Sequence, residues 1–283
     1  MKKLVERLLI FFIGIPLCLA IVVFLPQRNH LAANILITVF CLLGTIEFSD
    51  MLKKKNMPVS RMEAGILGLI APVGMTLFVS FYASPFIMPA LILIGAGWLL
   101  VSGIFLSGDA LNRAVAGFAL LFYPSSFLSW IIFMNRLPYS SILTIAFLCV
   151  VFANDSLAWV FGILFGKNNR GIFAVSPNKS LAGFIAGIAA SIGVGLGLAA
   201  SLPDIFEAAR FPPLVSGFIL GFFTGAATVL GDLAESAIKR SVSVKDSGSI
   251  IPGRGGILDS IDSLALSAPV FYIVYKLLFV AVI

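Results

Sequence analysis

Apolar residues fall into nine uninterrupted runs, at 8–25, 31–48, 64–82, 86–106, 114–133, 140–165, 180–201, 212–231 and 264–283. Each is close to the roughly 20 residues an α-helix needs to cross about 30 Å of hydrocarbon. The runs lack the period-two alternation of a membrane β-strand, which argues against a β-barrel. The pattern predicts an all-α polytopic membrane protein with about nine transmembrane helices. The first run follows Lys2, Lys3 and Arg7 and contains Cys18-Leu19-Ala20, imitating a secretory signal and its cleavage site. It is longer than the about 7–15 apolar residues of a signal core and more runs follow, so an uncleaved helix is expected.

Basic residues sort by side. With the N-terminus inside, Lys2, Lys3, Arg7, Lys53, Lys54, Lys55, Arg61, Arg113, Lys167, Arg170, Lys179, Lys239, Arg240, Lys245 and Arg254 fall in inner segments. Arg28, Arg136 and Arg210 fall in outer ones, and Lys276 lies in the last run. The positive-inside rule then makes the N-terminus cytoplasmic and the C-terminus external, in a cytoplasmic (inner) membrane.

Composition removes the soluble alternatives. Of 283 residues, 60% are apolar and 11% charged, against about 45–50% and about 25% in soluble domains; mean hydropathy is +1.09. The single histidine, His30, argues against a histidine-bearing triad or a His-rich metal site. Cys18, Cys41 and Cys149 lie inside apolar runs with no Cys-x-x-Cys pair, so neither disulfides nor thiolate metal ligation is expected. A net charge of +6 reflects loop bias, and no nucleic acid is expected as partner.

The chain divides by polarity. Residues 1–133 form a helical scaffold with short loops and little polar content beyond Lys53–Lys55, read as an anchor to anionic membrane lipids. Residues 134–283 carry the polar clusters, with cytoplasmic segments at 166–180 and 231–263. Gly217, Gly221 and Gly225 form a G-xxx-G-xxx-G pattern, which lets two helix backbones approach closely. The partner helix could belong to this chain or to another.

The chemistry concentrates in that second half. Asp155 lies about 20 Å along a helix from Ile142, toward the inner face, where a charge needs either a lysine partner or a polar cavity. Val175-Ser176-Pro177-Asn178-Lys179-Ser180 then opens the next helix with a turn. Lys167 and Lys179 read equally well as membrane anchors. The eighth helix continues past Gly231 with Asp232, Glu235, Ser236 and Lys239 at i, i+3, i+4 and i+7, on one face. Arg240, Lys245-Asp246 and the glycine-rich Pro252-Gly253-Arg254-Gly255-Gly256 follow, and then Asp259 and Asp262 one turn apart. Glycines before a helix N-terminus leave N–H groups free for phosphate. Oxygen ligands without His or Cys suit Mg²⁺, which bridges carboxylates and substrate phosphates. The inferred ligand is a metal-complexed polyphosphate at the inner face.

The residues Ser236-Ala237-Ile238-Lys239-Arg240, Lys245-Asp246-Ser247-Gly248 and Ile251-Pro252-Gly253-Arg254-Gly255-Gly256-Ile257-Leu258-Asp259-Ser260-Ile261-Asp262 closely resemble the signature of the phosphatidate cytidylyltransferase (CDP-diacylglycerol synthase) family. Asn154-Asp155, Gly166-Lys167 and Ser176-Pro177-Asn178-Lys179-Ser180 resemble its second block. The resemblance implies transfer of the cytidylyl group of CTP to phosphatidate, giving CDP-diacylglycerol and pyrophosphate. It implies metal ligation by Asp232 and Asp259, with Asp262 and Asp155 as additions, by one Mg²⁺ or a pair of metal ions. Lys239, Lys245 and Asp246 join Asp232 and Asp259 as catalytic residues. Asp155, Lys167, Ser176, Lys179, Ser236, Arg240, Arg254, Gly255 and Gly256 are the expected substrate-binding set. A homodimer is also implied, with the Gly217–Gly225 face as a candidate contact.

The chain departs from the family at three places: Arg254 stands where the family has His, Ser260 where it has Arg, and Ala182 where Glu is frequent. Arg254 would restore, six positions earlier, the charge missing at Ser260. Two rival readings remain. A CTP-dependent polyprenol (lipid) kinase has related motifs but transfers the γ-phosphoryl group. A membrane transporter would use Asp155 and the basic loops as an ion path, and would need polar residues in several mid-membrane segments.

Overall fold

The structure, a computed structural model, describes residues 14–57, 59–105, 109–251 and 255–279. Its helices are α1 (Ile15–Phe24), α2 (Gln27–Lys53), α3 (Arg61–Ser80), α4 (Ile87–Phe105), α5 (Ala110–Leu121), α6 (Trp130–Met134), α7 (Ser140–Phe165), α8 (Leu181–Ser201), α9 (Pro213–Ser241) and α10 (Leu258–Leu278). A π-turn at Phe122–Ser126 joins α5 to α6 within one span, Ala110–Met134. Among the described residues, eight helices are long and apolar enough to cross a membrane, matching the second to ninth predicted runs. The chain is a multi-pass, all-α membrane protein. Residues 8–13 of the first predicted run and 280–283 of the last lie outside the described residues.

Boundaries follow local chemistry. Ser60, Asp109 and Ser180 cap α3, α5 and α8, each accepting a hydrogen bond at 3.1 Å, from the N–H of Glu63, Asn112 and Gly183. A short polar side chain at that position satisfies an N–H that the helix leaves orphaned. Arg28, Asn29 and His30 adopt left-handed φ values of 51–59°, so the regular turns of α2 begin after them.

The chain forms two compact units. The first comprises residues 1–137 with 239–265, and the second 138–238 with 266–283. In the first, α2 packs on α3, and Gly44 of α2 lets Ile261 and Pro124 approach, since a Cβ there would stand 3.0 and 3.3 Å from their side chains. Asn34 is fully buried, donating to Ser80 Oγ at 3.0 Å and accepting from Asn135 at 2.7 Å. Arg113 makes a forked ion pair with Glu63 at 2.6 and 2.7 Å, and Trp98 donates to the same carboxylate. These polar groups are thus paired with one another inside the first unit. A membrane interior offers no water, so each such group needs a partner inside the protein.

In the second unit, α8 lies between α7 and α9. A Cβ at Gly183 or Gly187 would stand 2.7 Å from Ala158 O or Asn154 Oδ1 of α7. On the other side, a Cβ at Gly217, Gly221 or Gly225 of α9 would meet Ala199, Ile192 and Ser191 at 2.7, 2.8 and 2.5 Å. The G-xxx-G-xxx-G face is therefore covered by α8 of the same chain. This corrects its reading as a contact between copies: small residues there let two backbones touch within one unit.

Candidate active site

The register of α7 is set by Asn154. It is 1% exposed, and its amide donates to Ser191 Oγ at 2.9 Å and to Gly225 O at 3.2 Å, tying three helices together. Asp155 comes next in sequence and faces a cavity of about 490 Å³ in the second unit. Its walls include Trp159, Arg170, Ser176, Asn178, Lys179 and Asp232. The segment after α7 folds back to reach it: Gly171 N donates to Lys179 O at 3.3 Å, and Leu181 N to Asn169 O at 3.0 Å. Gly166 permits the return, because a Cβ there would lie 2.6 Å from Ser180 Oγ. Lys179 and Asp232 form an ion pair within the cavity.

Two carboxylates and two cations cancel formally in this cavity, so a polyphosphate gains little net attraction from the protein alone. A divalent cation entering with the nucleotide would supply the missing positive charge. Asp155 and Asp232 offer the hard oxygen donors that Mg²⁺ takes, usually one or two carboxylates with the rest from water and phosphate. Among the described residues no three His, Cys, Asp or Glu side chains group closely enough to hold a metal by themselves.

The first unit holds a second cluster. Lys239 donates to Asp259 Oδ1 at 2.7 Å, with the two side chains 12% and 8% exposed. Asp259 Oδ2 accepts from Ser247 N at 2.9 Å, Ser247 Oγ at 3.0 Å and Gly256 N at 2.8 Å. Glu47 of α2 accepts from Ile257 N at 3.0 Å and Leu258 N at 2.9 Å. Gly255 N donates to Ile251 O at 3.0 Å. The glycine loop was expected to leave its N–H groups free for phosphate. That expectation is corrected: from Gly255 to Leu258 they bind acceptors within the protein. The physical reason is that a helix N-terminus draws the nearest anion, and two buried carboxylates lie closest.

The predicted residues thus separate. Asp155, Ser176, Lys179 and Asp232 line the cavity of the second unit, and Arg170 joins them. Lys167 is exposed and is not among the cavity walls. Ser236 is buried on α9, as is the neighbouring Glu235. Lys239, Asp259, Gly255 and Gly256 belong to the cluster of the first unit, with Asp262 buried one turn beyond Asp259. Lys245, Asp246 and Arg240 are exposed beside it, Arg240 donating to Val244 O at 3.0 Å. Ser260 Oγ donates to Gly256 O at 3.3 Å, and Ala182 lies in an apolar groove with Leu157, Phe161 and Ile185. Arg254 lies outside the described residues. Glu47 was missed; an acidic residue inside a predicted membrane run was the available signal.

Comparison with known proteins identifies the family. A model of the cytidylyltransferase family matches residues 5–278. A protein of Bacillus subtilis named phosphatidate cytidylyltransferase is 30% identical over 246 residues, 83% of this chain and 86% of its own. Proteins of that name from Synechocystis and Aquifex aeolicus are 36% and 32% identical, over 51% and 58% of this chain and 47% and 58% of theirs. The chain spans about half the length of most of the curated relatives it matches. A helical membrane protein with acid–base clusters at its signature segments, the chain belongs to the cytidylyltransferase family.

Proposed function

We propose that the chain transfers the cytidylyl group of CTP to phosphatidate, forming CDP-diacylglycerol and releasing pyrophosphate. The observation that carries this reading is the cavity of the second unit. There, residues far apart in sequence, Asp155, Ser176, Lys179 and Asp232, meet beside Arg170. A phosphate oxygen of phosphatidate attacks the α-phosphorus of CTP, and the bond from that phosphorus to the bridging oxygen of pyrophosphate breaks. Such chemistry asks the protein for positioning and charge neutralisation, without a covalent intermediate. Lys179, Arg170 and Ser176 hold phosphate oxygens. Asp232 and Asp155 are the carboxylates that would hold Mg²⁺, which supplies charge neutralisation at the triphosphate when bound. Asp259 and Asp262, which the resemblance also names as metal ligands, lie in the first unit, where Lys239 pairs with Asp259. The reaction then lies at the cytoplasmic side of an inner membrane, where a soluble nucleotide and a leaflet lipid meet, with Lys239, Lys245 and Arg240 left as further phosphate-binding cations of the first unit. A homodimer would join copies through a face other than Gly217–Gly225.

The test is product analysis on purified protein given labelled CTP, phosphatidate and Mg²⁺. Label in a CDP-lipid together with free pyrophosphate supports the reading. Free CDP with a newly phosphorylated lipid would mark a lipid kinase instead, and no lipid product at all would refute both.

A further inference from the structure

We infer that Glu47 is a positioning residue: a carboxylate on a first-half helix that fixes Ser247, Ile257 and Leu258 of the signature and, through Ser247, the Lys239–Asp259 pair. Glu47 is 5% exposed within a membrane-crossing helix. A buried carboxylate is costly unless its oxygens are hydrogen-bonded. Here both are. Oε1 accepts from Ile257 N at 3.0 Å, and Oε2 from Leu258 N at 2.9 Å and Ser247 Oγ at 3.1 Å. Ser247 Oγ is also 3.0 Å from Asp259 Oδ2. One hydroxyl proton serves one carboxylate at a time, so Ser247 couples Glu47 to Asp259 and hence to Lys239. The chain Glu47–Ser247–Asp259–Lys239 lies wholly within the first unit.

Glycine placement supports the same conclusion independently. A Cβ at Gly248 would stand 2.5 Å from Glu47 Oε1 and 2.8 Å from its Cδ, and the three heavy atoms nearest to it all belong to Glu47. A Cβ at Gly256 would stand 2.8 Å from Glu47 Cδ. Gly255, at φ +121°, would set a Cβ 2.5 Å from Asp259 Oδ2. The glycines of this segment make room for two carboxylates of the protein. Misplacing reacting groups by about 1 Å can cost on the order of a hundredfold in rate, so a clamp of this kind acts on turnover.

The experiment uses the full chain in detergent with four variants: Glu47→Gln, Glu47→Ala, Gly248→Ala and the Glu47→Ala/Gly248→Ala pair. Its kinetic arm rests on the cytidylyl-transfer reading; its melting arm does not. Glu47→Gln, with one acceptor oxygen in place of two, should lower kcat per folded molecule at least about tenfold while the KM for CTP stays within about threefold. Gly248→Ala should lower the melting temperature in the parent and leave it unchanged in the Glu47→Ala background, because the obstacle to its Cβ is then gone. Parental kcat in Glu47→Gln would overturn the inference. So would a Gly248→Ala penalty of equal size with and without Glu47. If the parent transfers nothing from CTP, the functional reading fails, and the melting cycle alone decides for or against the clamp.

Discussion

Replacing Lys239 with methionine keeps an unbranched side chain one atom shorter and removes its charge. At 2.7 Å and an effective dielectric of about 20, the attraction between Lys239 and Asp259 has a ceiling of about 6 kcal/mol. Removing one partner of a buried pair costs about 3–5 kcal/mol, chiefly because the other charge is left behind. Asp259 keeps three donors, from Ser247 and Gly256, so the low end applies: about 3 kcal/mol for Lys239→Met. Melting points of domains of comparable size move about 2–4 °C per kcal/mol, which makes the expected fall about 6–12 °C. Asp259→Asn leaves Lys239 without its counter-charge and should cost a similar amount. The double variant leaves neither charge behind, so its cost should be about 2 kcal/mol less than the sum of the single costs. The assay is thermal unfolding of the purified protein in detergent, followed by tryptophan fluorescence. If the single effects add to within about 0.5 kcal/mol, the pair is not an energetic unit and the reasoning fails.

Asp232→Asn preserves shape while removing a cavity charge, and should reduce Mg²⁺-dependent turnover by more than about tenfold with an unchanged melting temperature, read from initial rates. Cysteines placed at Lys54 and Lys245 should react with an impermeant thiol reagent from one side of the membrane, and one at Arg136 only from the other. Reaction of 54 and 136 from the same side would break the topology. Gly221→Leu forces a side chain against Ile192, where even a Cβ stands at 2.8 Å. It should destabilise the protein by at least about 1–3 kcal/mol, measured by melting, whereas Leu at the open position Gly197 should be near neutral.

The spans were legible because membrane insertion imposes length and polarity on each segment separately, so runs such as 140–165 carry their own boundaries. The continuation of α9 past Gly231 was legible from the 3.6-residue spacing of Asp232, Glu235, Ser236 and Lys239. What sequence could not give was pairing between distant segments. The small-residue face of Gly217–Gly225 announces close packing, yet only the tertiary structure selects α8 as its partner. The glycine loop before α10 announces N–H groups in need of acceptors, and phosphate was the acceptor expected. Two protein carboxylates fill that role, one of them on α2. Glu47 is marked locally only as an acid inside an apolar run, and that mark does not say which donors it meets 200 residues later.

The separation between Glu47 and its donors also bears on biosynthesis. Glu47 emerges from the ribosome 200 residues before Ser247 and 211 before Leu258. At about 5–20 residues per second, it waits roughly 10–40 s for its hydrogen bonds. During that interval the carboxylate lacks these donors, and an unpaired charge is costly in hydrocarbon, which draws this end of α2 toward the interface. A nascent chain stopped before Ser247 would present quality-control proteases with a membrane segment bearing an unsatisfied acid.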